Sequence, residues 1–107
     1  MVGETQGDSK KTARLAKALS HDLRLRIMRL SIERARPMSP REAAEALPAA
    51  LSSVAYHFHV LAEVEALRRE GTRSGPGAEQ SLYAPEPAVI EMPVVKEILA
   101  TGAQASS

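Results

Sequence analysis

Four hydrogen-bonding side chains, Ser52, Ser53, Tyr56 and His59, fall on one side of a segment with helical spacing. Short or flat groups of this kind can donate to and accept from base edges and phosphates. On the opposite side Val54, Phe58 and Leu61 recur at i, i+4 and i+7, the pattern of a buried stripe. A helix buried on one side and polar on the other suits the major groove of DNA. Ser52 and Ser53 would meet phosphate or bases near the positive helix N-terminus. Ser52 reads equally well as a helix cap, replacing a missing one earlier in the turn. Ala55 could touch a thymine methyl, and Tyr56 a base edge or phosphate. His57 stands three residues after Val54 and so borders the buried face. It is read as a half-buried histidine bonded to backbone or phosphate, ahead of any base contact.

Other chemistries find little support. His57 and His59 are two residues apart on a helix and diverge by roughly 200°, so they do not share an ion. Cysteine is absent, which removes disulfides, thiolate metal sites and thiol nucleophiles together. There is no Gly-rich phosphate loop and no serine–histidine–acid arrangement with a pocket around it. The expectation is therefore a non-enzymatic chain with no cofactor and no metal, and nothing in it names a small-molecule effector. At 107 residues there is room for one domain and a tail. No apolar run reaches the roughly 20 residues of a membrane span, and the polar N-terminus lacks a signal-peptide core. A cytoplasmic protein without a membrane partner is expected.

The net charge of +1 hides an asymmetry. Between Lys10 and Arg41 lie ten basic residues, opposed only by Asp22 and Glu33, for a local balance of +8. Acidic residues dominate from Glu42 onward. Such a stretch is either a face for phosphate or a solvated surface whose arginines pair with glutamates elsewhere in the fold.

The elements that must position these residues follow from periodicity and caps. Residues 1–8 lack periodicity and are expected to be disordered. A first helix fits 10–19, with Leu15, Ala18 and Leu19 inward. Ser20 can cap a second at 21–35, whose stripe is Leu23, Ile27 and Leu30 and whose arginines, Arg24 among them, project outward; Pro37 stops it. Ser39, Pro40 and Glu42 open a third with a capping serine, a proline at the first position and a glutamate three residues after the cap. The 52–61 segment is the fourth. The period then changes. Residues 67–72 and 80–84 read as strands around a Gly/Pro-rich tip at 73–79, before a short helix carrying Met92, Val95, Ile98 and Leu99. The tail at 102–107 is expected to be disordered. This order, mainly α with a small β-hairpin (α-α-α-α-β-β-α), is a winged helix-turn-helix, with a DNA-binding domain over 9–86 and a dimerisation helix over 87–101.

Two stretches resemble the ArsR-type winged-helix repressors and their non-metal-sensing relatives. Residues 18–28, ALSHDLRLRIM, are similar to that family's entry into its second helix, and residues 52–61, SSVAYHFHVL, to its recognition helix. The resemblance, over residues 10–84, implies a transcriptional repressor that occupies a palindromic operator as a homodimer. Three positions depart from the family pattern: Pro48-Ala49-Ala50 replaces the usual turn with its capping hydroxyl, Glu65 stands where glycine is usual, and His59 where a basic residue is frequent. Glutamate at a left-handed C-terminal position is uncomfortable, so the fourth helix is expected to run on for a turn. In the wing, Arg69 and Arg73 are expected at DNA, with Arg68 open, and Arg41 at phosphate. Apolar surface on Leu15, Ala18, Leu19, Met92, Val95, Ile98 and Leu99 is expected to form the dimer interface, the alternative being that the last helix closes the monomer core. The rival function is a winged-helix module for protein–protein interaction, which the same fold can host.

Overall fold

The computed structural model describes the backbone of residues 2–75 and 78–105, and the side chains of 9–75 and 78–102. Among them are six helices and one two-stranded hairpin. The first, α1, runs over Val2–Ala18, so of the N-terminal residues expected to be disordered only Met1 lies outside the described ones, and helix begins at Val2. Leu15 and Leu19 are fully buried, and the Ser20 hydroxyl bonds back to the Lys17 carbonyl at 2.7 Å. That engagement takes Ser20 away from the expected capping role. The second helix, α2 (Asp22–Arg34), is instead capped by His21, whose Nδ1 accepts from the Leu23 amide at 3.2 Å. It ends on Ala35, a left-handed residue at φ +55°, two positions before Pro37.

Ser39 caps α3 (Pro40–Ala46), accepting from the Glu42 amide at 3.1 Å. The Glu42 carboxylate does not complete the box; it turns to Arg34 and Arg36. After an extended turn through Leu47, α4 (Leu51–Glu63) starts from Ala50 with no side-chain cap, and Ser52 lies inside the helix. Val54, Phe58 and Leu61 are buried as their spacing predicts. Helix α4 stops at Glu63 rather than running on. Glu65 takes φ +62°, the Glu65 amide bonds to the Ala62 carbonyl at 3.0 Å, and the Ala66 amide to Leu61 at 2.9 Å. These two bonds form a Schellman termination, closed by the buried pair Leu61 and Ala66.

The wing pairs β1 (Leu67–Gly75) with β2 (Ala78–Pro85) in antiparallel register from Leu67 opposite Pro85 to Gly75 opposite Ala78. The strands are longer than their composition suggests, and the only tip residues between them, Pro76 and Gly77, lie outside the described ones. A register shift between Arg69 and Thr72 is served by Gly71 at φ +117°, a conformation glycine alone tolerates well. Met38, just ahead of α3, bridges Tyr83 through amide–carbonyl bonds of 3.0 and 2.9 Å and so ties the hairpin to the helical body. The chain then makes a short helix, α5 (Pro87–Ile90), absent from the expected order, and closes with α6 (Pro93–Ala105). The expected disordered tail is helical to Ala105, with Ser106 and Ser107 outside the described residues. Gly102 permits this close approach: a Cβ there would lie 2.5 Å from Leu25 Cδ1. The architecture is a winged helix-turn-helix with one added helix.

Leu15, Leu19, Ile27, Met28, Met38, Phe58, Leu61, Leu67, Val89 and Val95 make one core. This core takes up four residues of the expected dimer face. Leu15, Ala18, Leu19 and Val95 are covered by their own chain, and Met92, Ile98 and Leu99 are half-buried against the same core. Helix α6 closes the monomer. An apolar stripe is the same in sequence whether its cover is the chain itself or a second copy.

Candidate nucleic-acid interface

The core stripe of α4 turns its other side outward. Ser52, Tyr56 and His59 are exposed, with Ser53 and Ala55 at the edge. Tyr56 is 61% exposed and Leu51, at the helix start, 41%. The face is therefore an exposed phenol flanked by small polar groups and one aliphatic side chain. Phe58 holds it from behind, packing edge-on against Tyr83 at 5.5 Å and linking α4 to the wing. His59 lies 4.0 Å from Glu63, one turn on, in an exposed pair of little energetic weight.

His57 separates from the other α4 candidates. It is buried, with 7% of its surface exposed, and its ring sits 4.3 Å from the His21 ring and 5.1 Å from Tyr56. Arg24 Nη1 approaches His57 Nδ1 at 3.4 Å, while Arg24 Nε donates to the Ala18 carbonyl at 2.6 Å. Burial, then the charges of His21 and Arg24, hold the His57 imidazole below the ordinary histidine range. It is thus more enclosed than its border position suggested, and it faces α2 rather than a groove.

Arg24 is one of several basic residues with internal partners. Arg29 donates twice to the Leu99 carbonyl, at 2.8 and 2.6 Å, joining α2 to α6. Arg26 pairs with Asp22 at 2.8 Å. Arg34 (2.9 Å) and Arg36 converge on Glu42, whose carboxyl the Arg36 hydrogen bond holds below the usual carboxylate range. Of the α2 arginines, Arg34 pairs with a glutamate elsewhere in the fold, Arg26 with Asp22 on its own helix, and Arg24 and Arg29 with backbone carbonyls. Arg24 and Arg29 do not project outward, because backbone carbonyls at the ends of α1 and in α6 draw them in.

The wing divides similarly. Arg68 pairs with Glu70 at 2.6 Å and Glu86 at 3.3 Å. Arg73 reaches Glu42 only at 3.8 Å and stays half exposed. Arg41 and Arg69 are exposed and make no ion pair among the described residues. Of the residues expected at DNA, Ser52, Ser53, Ala55, Tyr56 and His59 share one face, and Arg41, Arg69 and Arg73 keep cationic groups in solvent. Leu51 was missed, since an aliphatic residue before the polar run looks like core. No group of three or more potential metal ligands exists among the described residues, and no helix among them is long and apolar enough to cross a membrane. No protein-family model and no curated protein sequence matches this chain.

Proposed function

We propose that this chain is a sequence-specific DNA-binding transcriptional regulator, a repressor that occupies a palindromic operator as a homodimer. The observation that carries this reading is the uncovered face of α4. Tyr56, Ser52 and His59 point away from the core, on a helix anchored by Val54, Phe58 and Leu61. In a helix-turn-helix that helix enters the major groove with its first turns against base edges. Arg41, Arg69 and Arg73 supply cations for the flanking phosphates. The likeness of residues 18–28 and 52–61 to ArsR-type repressors supports repression by promoter occupancy. On this reading the protein is a binding protein rather than an enzyme and works in the cytoplasm. Pairing would use what the monomer leaves uncovered on Met92, Ile98 and Leu99.

One observation favours a second reading, a protein-interaction module. The exposed face of α4 carries Leu51 and Tyr56 and no lysine or arginine. Selection of bound sequences from random DNA, followed by titration of the selected duplex, separates the two. A DNA reader yields a consensus, and Tyr56→Ala weakens binding to it by about 1–3 kcal/mol, the worth of a good base contact. An unchanged sequence preference in Tyr56→Ala would sink the assignment of the reading face. Absence of any enriched sequence favours the interaction module.

A further inference from the structure

His57 is the one titratable side chain that α4 buries, and its closest partners are the Arg24 guanidinium and the rings of His21 and Tyr56. Arginine has no acceptor, so the Arg24 guanidinium can bond His57 Nδ1 at 3.4 Å only through the imidazole lone pair. The His57 proton must then sit on Nε2. His21 is constrained in the same way: its Nδ1 accepts from the Leu23 amide as the cap of α2. The two rings lie 4.3 Å apart. His57 loses its hydrogen bond with Arg24 when Nδ1 takes a proton, and the new charge then faces the His21 ring and Arg24. From α2 the facing groups are His21 and Arg24, with Asp22 turned to Arg26. From α4 itself there is Tyr56, and α1 contributes the Ala18 carbonyl through Arg24. Of the other elements packed on α4, α3 directs Glu42 to Arg34 and Arg36 and exposes Glu45, while β1 directs Glu70 to Arg68.

We infer that His21, Arg24 and His57 form an acid-sensitive latch that positions the reading face of α4, closed while the His57 imidazole is neutral and released when it takes up a proton. His57 and Arg24 are positioning residues here: Tyr56, the neighbour of His57, makes the proposed base contact. Only this DNA consequence rests on the function proposed above; the latch itself is a property of the folded chain. Because the folded state holds the His57 ring neutral, the unfolded chain takes up its proton first as pH falls. The stabilisation is therefore complete above about pH 6.5, declines below it, and stops declining once the folded ring is protonated too.

The test uses the full chain, wild type and His57→Gln, since glutamine keeps an acceptor for Arg24 and does not titrate. In an NMR titration of the wild type, the His57 ring should change protonation below about pH 6.5. The amides of Val54–Leu61 should shift with the same midpoint. The thermal midpoint of the wild type should fall as pH is lowered through that range, and that of His57→Gln should fall less. Amides of α4 that ignore the His57 midpoint, or equal losses in both proteins, overturn the latch. If His57→Gln does not fold, the wild-type titration decides alone. In duplex competition, the preference for the selected site over a scrambled one should drop about tenfold on acidification in the wild type and persist in His57→Gln. His59 is present in both proteins, so the comparison with His57→Gln isolates the contribution of His57. A preference unchanged by acid in the wild type overturns the positioning claim. Failure to bind any duplex at any pH refutes the DNA reading instead, and the amide shifts still decide the latch.

Discussion

Glu65 sets where α4 ends, and it does so against its own preference. Its backbone at φ +62° is the left-handed conformation that crowds a Cβ against the following carbonyl, at roughly 1–2 kcal/mol. The Schellman bonds from Glu65 and Ala66 hold it there, because ending α4 at Glu63 lets buried Ala66 and Leu67 enter the core. Extending the helix would relieve one residue and carry two apolar ones out of register. Glu65→Gly should therefore raise the unfolding free energy by about 0.5–1 kcal/mol, after allowing for the greater freedom of glycine in the unfolded chain. Urea denaturation measures it, with an unchanged slope as the sign that the fold is the same. A loss of stability would mean that the Glu65 side chain contributes more than its backbone costs.

At the scale of elements, α4 is the helix on which the proposed function turns, and it starts without a side-chain cap. Ala50 occupies its N-cap at φ −70° and ψ 152°, with no side chain to satisfy the first amides. Ser52 sits one position inside the helix, in helical backbone, and cannot take over. Ala50→Ser should add about 1 kcal/mol, a rise of about 4 °C in thermal midpoint for a domain of this length. A midpoint that does not move would show those amides already satisfied by solvent. Apart from α5 and the first turns of α1, the helices are legible because their signals are local. Ser39 with Pro40 announces α3, and the spacing of Val54, Phe58 and Leu61 announces the buried side of α4. The rest depends on partners distant in sequence. Nothing near Met38 marks it as a partner of Tyr83, and nothing near Arg24 shows that it turns inward to Ala18 and His57. Strand length was underestimated because Arg73, Ser74 and Gly75 look like turn residues until Gln80, Glu79 and Ala78 pair with them.

For the whole molecule, the distribution of charge decides how DNA binding should respond to salt. The arginines of α2 and its following loop already have partners: Arg24 and Arg29 at carbonyls, Arg26 at Asp22, Arg34 and Arg36 at Glu42. Exchanging those contacts for phosphate would loosen the joints between α1, α2, α3 and α6. Arg41 and Arg69 make no ion pair among the described residues and Arg73 reaches Glu42 only at 3.8 Å, so on the proposed reading these three meet phosphate. Each neutralised phosphate contributes about −0.9 to the slope of log K against log salt, so three per protomer give about −2.7, and a symmetric pair about −5.4. A fluorescence-anisotropy titration of the selected duplex over a salt series reads that number directly. Slopes near the larger value require two protomers on the site, and Arg69→Gln should then reduce the slope by about 1.8, one phosphate from each protomer. A much steeper slope in the wild type would show further cations at phosphate, either Lys10, Lys11, Arg14 and Lys17 of α1 or α2 arginines that leave Asp22 and Glu42.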